Sequence, residues 1–402
     1  MTGVERYGQL LRAPHVATMT AAALLGRIPL GIIGLAIVLF LREETGSYAR
    51  AGAVAAAFAI GTAGAAPFAG RLVDRLGPAR ILVPMSVVHA AGIGVVVALG
   101  YGGAPLGALL SAAFVAGCAL PPISSVMRTL WPALLGRRTD LLTTAFALDA
   151  VIVELVFVTG PALVALLTVL FAPAAALLLS SAVSLGGTLW FVTRAPARAR
   201  RPVPKVRGQA TTNVLRARGL QTLVLGIIPI GFTLGATEVI LPAFSEAEGD
   251  RALAGVLLAA WSLGSAAGGI AYGARHHERP LADRFVLFAV LLPFSLLPLA
   301  LAPSMLVMLL LVLPAGAIIA PTLAASNQLV GDVTPPGQET EAYTWPLTAL
   351  ILGVAGGNAA AGAVVEAADW QTAFLVAAAV GLISGAFLSL RRSTLRPLAA
   401  GA

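Results

Sequence analysis

The chain has 402 residues, 58% of them apolar and only 11% charged, with a mean hydropathy of +0.91; a soluble domain, in which about a quarter of residues are charged, is excluded. The net charge of +8 reads as a consequence of membrane topology rather than of nucleic-acid binding, because no basic surface interleaved with aromatics accompanies it. Cys118 is the single cysteine, so neither an intrachain disulfide nor a thiolate metal site is expected, and no cofactor is implied.

Apolar runs of roughly 20 residues, each long enough at 1.5 Å per residue to cross a hydrocarbon core of about 30 Å, recur along the whole chain. Twelve spans are predicted, at 16–41, 48–69, 81–101, 104–127, 142–168, 173–193, 220–243, 252–274, 285–302, 304–326, 341–364 and 370–390. The first follows a polar start containing Arg6 and Arg12, but it is too long, and too many spans follow it, for a cleaved secretory signal. With the amino terminus in the cytoplasm, 22 of the 26 Lys and Arg residues fall on the cytoplasmic side; Arg42, Arg50 and Arg251 fall opposite, and Arg27 lies within a span. The positive-inside rule then places both termini in the cytoplasm of a multi-pass protein of the cell membrane.

The predicted organisation is an amino-terminal six-helix bundle (1–193), a cytoplasmic linker (194–218) and a carboxyl-terminal six-helix bundle (219–402). The linker carries eight cations, Arg194 to Arg218, without an acidic residue, and is punctuated by Pro196, Pro202 and Pro204. It reads as a topology anchor drawn to anionic lipid. An offset of 199 residues superposes Gly70 on Gly269, Gly117 on Gly316, Pro122 on Pro321 and Arg128 on Asn327. Parallel repeats of this kind point to a transporter that holds its substrate between the halves. Small residues four apart, Gly264 with Gly268 and Gly353 with Gly357, allow close helix approach, whether for packing or for sliding.

Apart from Arg50 and Glu341 at span ends, only Arg27, Asp149, Glu154 and Glu238 fall inside the predicted spans, where each such charge costs at least about 2.5 kcal/mol and normally faces a protein partner. Arg27 and Glu154 lie at almost the same depth in helices running the same way, so an ion pair between them is expected, with Glu154 as the group whose proton affinity changes with that contact. Asp149, five residues earlier than Glu154, sits about 140° around the helix and about 7.5 Å nearer the cytoplasm. Glu238, near the outer end of the seventh span, reads equally as a solvated helix end or as a protonation site, and His89 reads as a hydrogen-bonded packing residue. Trp261, Asn327 and Asn358, together with Arg27 and Glu154, are the candidate cavity residues; Tyr343 and Trp345 also suit an interfacial belt.

Between the second and third spans the chain reads Gly70-Arg71-Leu72-Val73-Asp74-Arg75-Leu76-Gly77-Pro78-Ala79-Arg80, which resembles the signature loop of the major facilitator superfamily. The resemblance implies an all-α fold of two six-helix bundles related by a pseudo-two-fold axis, and a monomer that moves a small molecule by alternating access. It also implies a latch in which Asp74 meets the positive end of the eleventh helix in the outward-facing state, with Gly70 allowing close packing, Gly77 making a turn, and Arg75 and Arg80 pairing with carboxylates or lipid phosphates. Pro78-Ala79 stands where the family has a basic pair, and the matching segment of the second half lacks the Asp. Gly160-Pro161 resembles an element of drug–proton antiporters, without the paired glycines that follow it there.

The leading functional reading is proton-coupled efflux of a small organic or lipophilic solute. A facilitator or proton symporter for uptake, for example of a sugar, is the alternative. A membrane enzyme and a channel rank lower: no zinc-binding His-Glu-x-x-His, nucleophile elbow or phosphate loop occurs, and no pore-loop repeat stands out.

Overall fold

The computed structural model describes residues 3–194, 196–197, 214–249 and 253–396. Arg251 and residues 198–213 of the expected linker lie outside the described residues. Among the described residues there are twelve helical spans: Val16–Thr45, Arg50–Leu76, Pro78–Tyr101, Leu106–Leu135, Thr139–Leu170, Pro173–Thr193, Arg218–Ala247, Ala254–Ala274, Leu281–Leu301, Met305–Val333, Glu339–Ala367 and Trp370–Leu390. They are called spans 1 to 12, and no strand occurs among the described residues. Helix is the solution available to an apolar chain in lipid because every backbone N–H and C=O is then satisfied within its own segment. The face bearing the first residues is called the terminal face and the other the distal face.

Spans 1, 4, 9 and 10 are broken where proline or crowding interrupts the backbone ladder, span 9 between Leu281–Phe294 and Leu299–Leu301. Span 1 divides into Val16–Arg27 and Pro29–Thr45, with Pro29 opening the second piece. Span 4 divides into Leu106–Cys118 and Ile123–Leu135 around Pro121 and Pro122, and span 10 into Met305–Gly316 and Ile319–Val333. The breaks in spans 4 and 10 follow Gly117 and Gly316, which sit against span 2 at Phe58 and span 8 at Trp261 respectively. The same small residue thus seats the broken helix in each half, as the sequence repeat requires. Gly264 and Gly268 meet span 10, and Gly353 and Gly357 meet span 7. Both small-residue pairs therefore serve packing within the carboxyl-terminal half and not sliding between halves. His89, fully buried, bridges spans 3 and 4 through Nδ1 and the Ala116 carbonyl at 2.9 Å.

An amphipathic helix, Gly3–Arg12, lies across the terminal face ahead of span 1. Arg6 donates to the Arg275 carbonyl after span 8 at 2.7 Å and to the Asp140 carbonyl at the start of span 5 at 3.4 Å, so one guanidinium ties the two halves together. The Tyr7 hydroxyl donates to the Ile270 carbonyl of span 8 at 3.2 Å, and burial pushes its pKa up to about 12, which keeps it a donor throughout the physiological range. Arg6→Gln should therefore weaken closure of the terminal face, seen as a several-fold rise in cysteine labelling of that face while the helical circular dichroism stays unchanged.

Candidate functional site

The signature loop occupies the turn between spans 2 and 3. Gly77 adopts a φ of 89°, a conformation open to glycine and strained for other residues, and it lets Pro78 start span 3 at once. The turn leaves Asp74 in the last helical turn of span 2, facing the start of span 11. There its carboxylate accepts the backbone N–H of Thr340 at 3.1 Å and of Glu341 at 2.9 Å. Two orphan amides and the positive end of a 29-residue helix are satisfied by one buried anion. Beside it Arg71 forms a bidentate pair with Glu341 at 2.6 and 2.8 Å. Sequence reasoning assigned no role to Arg71 or Glu341, because only the crossing of spans 2 and 11 brings them together. Arg75 and Arg80 are exposed, and among the described residues neither has a carboxylate partner.

Gly70 makes that crossing possible. A Cβ there would stand 2.8 Å from Glu341 Cα and 2.9 Å from the Thr340 carbonyl oxygen, backbone atoms that cannot swing aside. Gly70→Ala should push spans 2 and 11 apart at the terminal face, lengthening the distance between spin labels placed on them.

Farther into the membrane lies a charge triad. Arg27 Nη2 approaches Asp149 Oδ1 at 2.6 Å, and Arg128 Nε donates to Asp149 Oδ2 at 2.8 Å. The side chains are 2%, 8% and 1% accessible for Arg27, Arg128 and Asp149 respectively. The expected partner of Arg27, Glu154, is replaced by Asp149. Each Cα–Cβ bond leans toward its helix amino end, which for span 1 is the terminal face, and an Arg side chain is long enough to carry its charge down to the depth of Asp149. Arg128, missed as an intramembrane charge, is inside because span 4 runs on to Leu135.

Glu154 instead accepts from Ser265 of span 8 at 2.9 Å, across the two halves. Glu238 of span 7 is exposed yet within electrostatic reach of Glu154, so the two carboxylates share one region of the cleft between the halves. Trp261 precedes Ser265 by one helical turn on the same face, and Asn358 approaches Gly235, one turn before Glu238. Glu154, Ser265 and Glu238 form one group and the triad another; the Trp261 ring packs at Gly316 of span 10, and the Asn358 side chain at Gly235 of span 7. Asn327, half-buried on span 10, joins neither. The candidate cavity set is thus divided: Arg27 belongs to the triad and Glu154 to the acidic group, while Trp261 lies one turn from Ser265 and Asn358 lies against span 7. A surface cavity of about 370 Å³ bounded by Pro280, Asp283, Arg392 and Arg396 lies at the terminal face, away from both.

Further bonds join the halves: Thr143 to Gln328 at 3.1 Å, Thr144 to the Gly273 carbonyl at 2.6 Å, and Thr348 to the Ala63 carbonyl at 3.1 Å. With the latch, the Arg6 tie and Glu154–Ser265, all of these contacts lie between the terminal face and the depth of Glu154. The molecule is closed on that face. Two six-helix bundles joined at one end, with charged groups at their interface, define a membrane transporter and not an enzyme.

The chain belongs to the Major Facilitator Superfamily, whose family model matches residues 19–280 and 223–401. No curated protein matches it in sequence. Among solved structures it is similar to the human organic anion transporter MFSD10, at 19% identity over 92% of this chain and 98% of that one, with a TM-score of 0.74. A bacterial homologue of the iron transporter ferroportin in its outward-facing state is similar at 15% identity, covering 94% of this chain and 99% of that one, with a TM-score of 0.76. The E. coli fucose:proton symporter is similar at 14% identity, 93% and 98% coverage, and a TM-score of 0.69. At these identities the likeness is one of fold.

Proposed function

We propose that the protein exports a small organic solute from the cytoplasm by alternating access, in exchange for protons carried by Glu154. The terminal face is the cytoplasmic one in this reading, since the cations gather there, and the closed state described above is then outward-facing. The observation that carries the proton assignment is the Glu154–Ser265 bond at 2.9 Å: an intramembrane carboxylate with no basic partner among the described residues, bonded directly across the interface that must part. A carboxylate accepts that bond and a protonated carboxyl can rearrange it, so proton occupancy and separation of spans 5 and 8 are linked. Glu238, exposed in the cleft, is placed to relay protons from the distal side.

The test is flux in proteoliposomes under an imposed pH gradient, with lipophilic cations, aromatic carboxylates and sugars as solutes. The wild type should respond to the gradient, and Glu154→Gln should lose that response while exchange of solute for solute persists. Flux indifferent to the gradient in the wild type would replace this reading by facilitated diffusion. Accumulation of solute on the proton-rich side of the membrane identifies antiport, and accumulation on the opposite side identifies symport.

A further inference from the structure

The triad is unbalanced. Two guanidiniums face one carboxylate, both carboxylate oxygens are taken up by the two arginines, and one positive charge remains in a nearly dry interior. Among the described residues no further carboxylate forms an ion pair with the triad, and the charged groups acting on Arg27 and Asp149 are each other and Arg128. Asp332 and Glu339 act on nearby Tyr343 but on neither of those groups. An uncompensated buried charge is among the most expensive features a protein interior can hold.

The same place has donors to spare. Arg27 Nε is buried without a hydrogen-bond partner, and so is Ser125 Oγ, one helical turn before Arg128 on span 4. Arg27 is 3% exposed and Ser125 1%. The break in span 4 adds to the positive potential, because a new 13-residue helix begins at Ile123, whose side chain packs where Gly26, the neighbour of Arg27, leaves space. Broken spans whose amino ends point at a midplane site are the usual way a transporter receives an anionic group.

We propose that Arg27, Arg128 and Ser125 form an anion subsite that takes the carboxylate of a small organic solute, with Asp149 holding the two guanidiniums in position. The proposal rests on the transporter reading and names the chemistry of its solute. A monoanion balances the single excess charge, whereas a phosphate dianion reverses it, and a planar carboxylate matches the guanidinium fork. Arg128 is the most accessible of the three charged groups and acts electrostatically on Tyr343 of span 11, so it borders the interface between the halves. Parting of the halves at the terminal face uncovers the subsite on the side from which an exported solute is loaded.

The test is binding by the purified full-length protein, followed as ligand-induced thermal stabilisation, with benzoate, octanoate, inorganic phosphate and tetraphenylphosphonium as probes. Benzoate or octanoate should stabilise the wild type saturably, and phosphate and tetraphenylphosphonium should not. Arg128→Gln should weaken the carboxylate response at least tenfold. Ser125→Ala, which removes one unpartnered hydroxyl and leaves the charges in place, should weaken it several-fold and covers the case in which Arg128→Gln fails to fold. Stabilisation by tetraphenylphosphonium alone, no response to either carboxylate, or equal carboxylate affinity in the wild type and Ser125→Ala would overturn the subsite. Carboxylate binding that follows the expected pattern without any pH-driven flux would support the subsite while removing proton coupling, so the two readings fail separately.

Discussion

Asp149→Asn should destabilise the protein more than any other single substitution in the membrane interior. The change is nearly isosteric, so the loss is electrostatic: two guanidiniums, each in contact with Asp149 and nine-tenths or more buried, lose their one counter-charge. Removing one partner of a buried ion pair costs about 3–5 kcal/mol, a large share of the roughly 5–15 kcal/mol that holds a typical domain folded. The expected result is a melting temperature lowered by many degrees, or protein that is not recovered in the membrane. Arg27→Leu combined with Asp149→Asn returns the local charge to its wild-type value and should recover much of the loss. That double variant separates charge balance from packing, because it restores the former without restoring the native side chains. A single Asp149→Asn protein with wild-type thermal stability would show that the triad does not bear on folding.

Reversing one member of the latch should open the terminal face, and reversing both should close it again. Arg71→Glu places a second carboxylate against Glu341, which is 3% exposed, and near Asp74, which is 8% exposed. Like charges so placed across an interface cost several kcal/mol, and each 1.4 kcal/mol changes the ratio of open to closed molecules tenfold. A shift of this size turns a protein closed on that face into one mostly open, visible as a long-distance population between spin labels on spans 2 and 11. The pair Arg71→Glu with Glu341→Arg restores the attraction, although a cation at the amino end of span 11 is less favourable there than Glu341, so recovery should be partial. Closure unaffected by Arg71→Glu would assign the latch to Asp74 alone.

Much of the fold was legible because a bilayer imposes one length and one hydrogen-bonding rule on every span. Hydropathy therefore located twelve helices, and the turn at Gly77 with Asp74 before it was visible in the stretch Gly70 to Arg80. The ends of spans were less legible: span 4 continues past the predicted limit at 127, and this hid Arg128, the third member of the triad. The linker reading falls largely outside the described residues.

Side-chain partners were the least legible. Matching Arg27 with Glu154 by depth of the Cα used one coordinate of three; it ignored the backward lean of the side chain and the azimuth that turns Glu154 toward span 8. What the sequence determined by itself is which residues enter the membrane and which charges must find partners, since burial cost depends on composition along the chain. Which charge meets which, Arg27 with Asp149, Glu154 with Ser265 and Arg71 with Glu341, was decided by the crossing of helices far apart in sequence. Those crossings are set by surface shape, at positions such as Gly70 where a missing side chain lets two backbones touch.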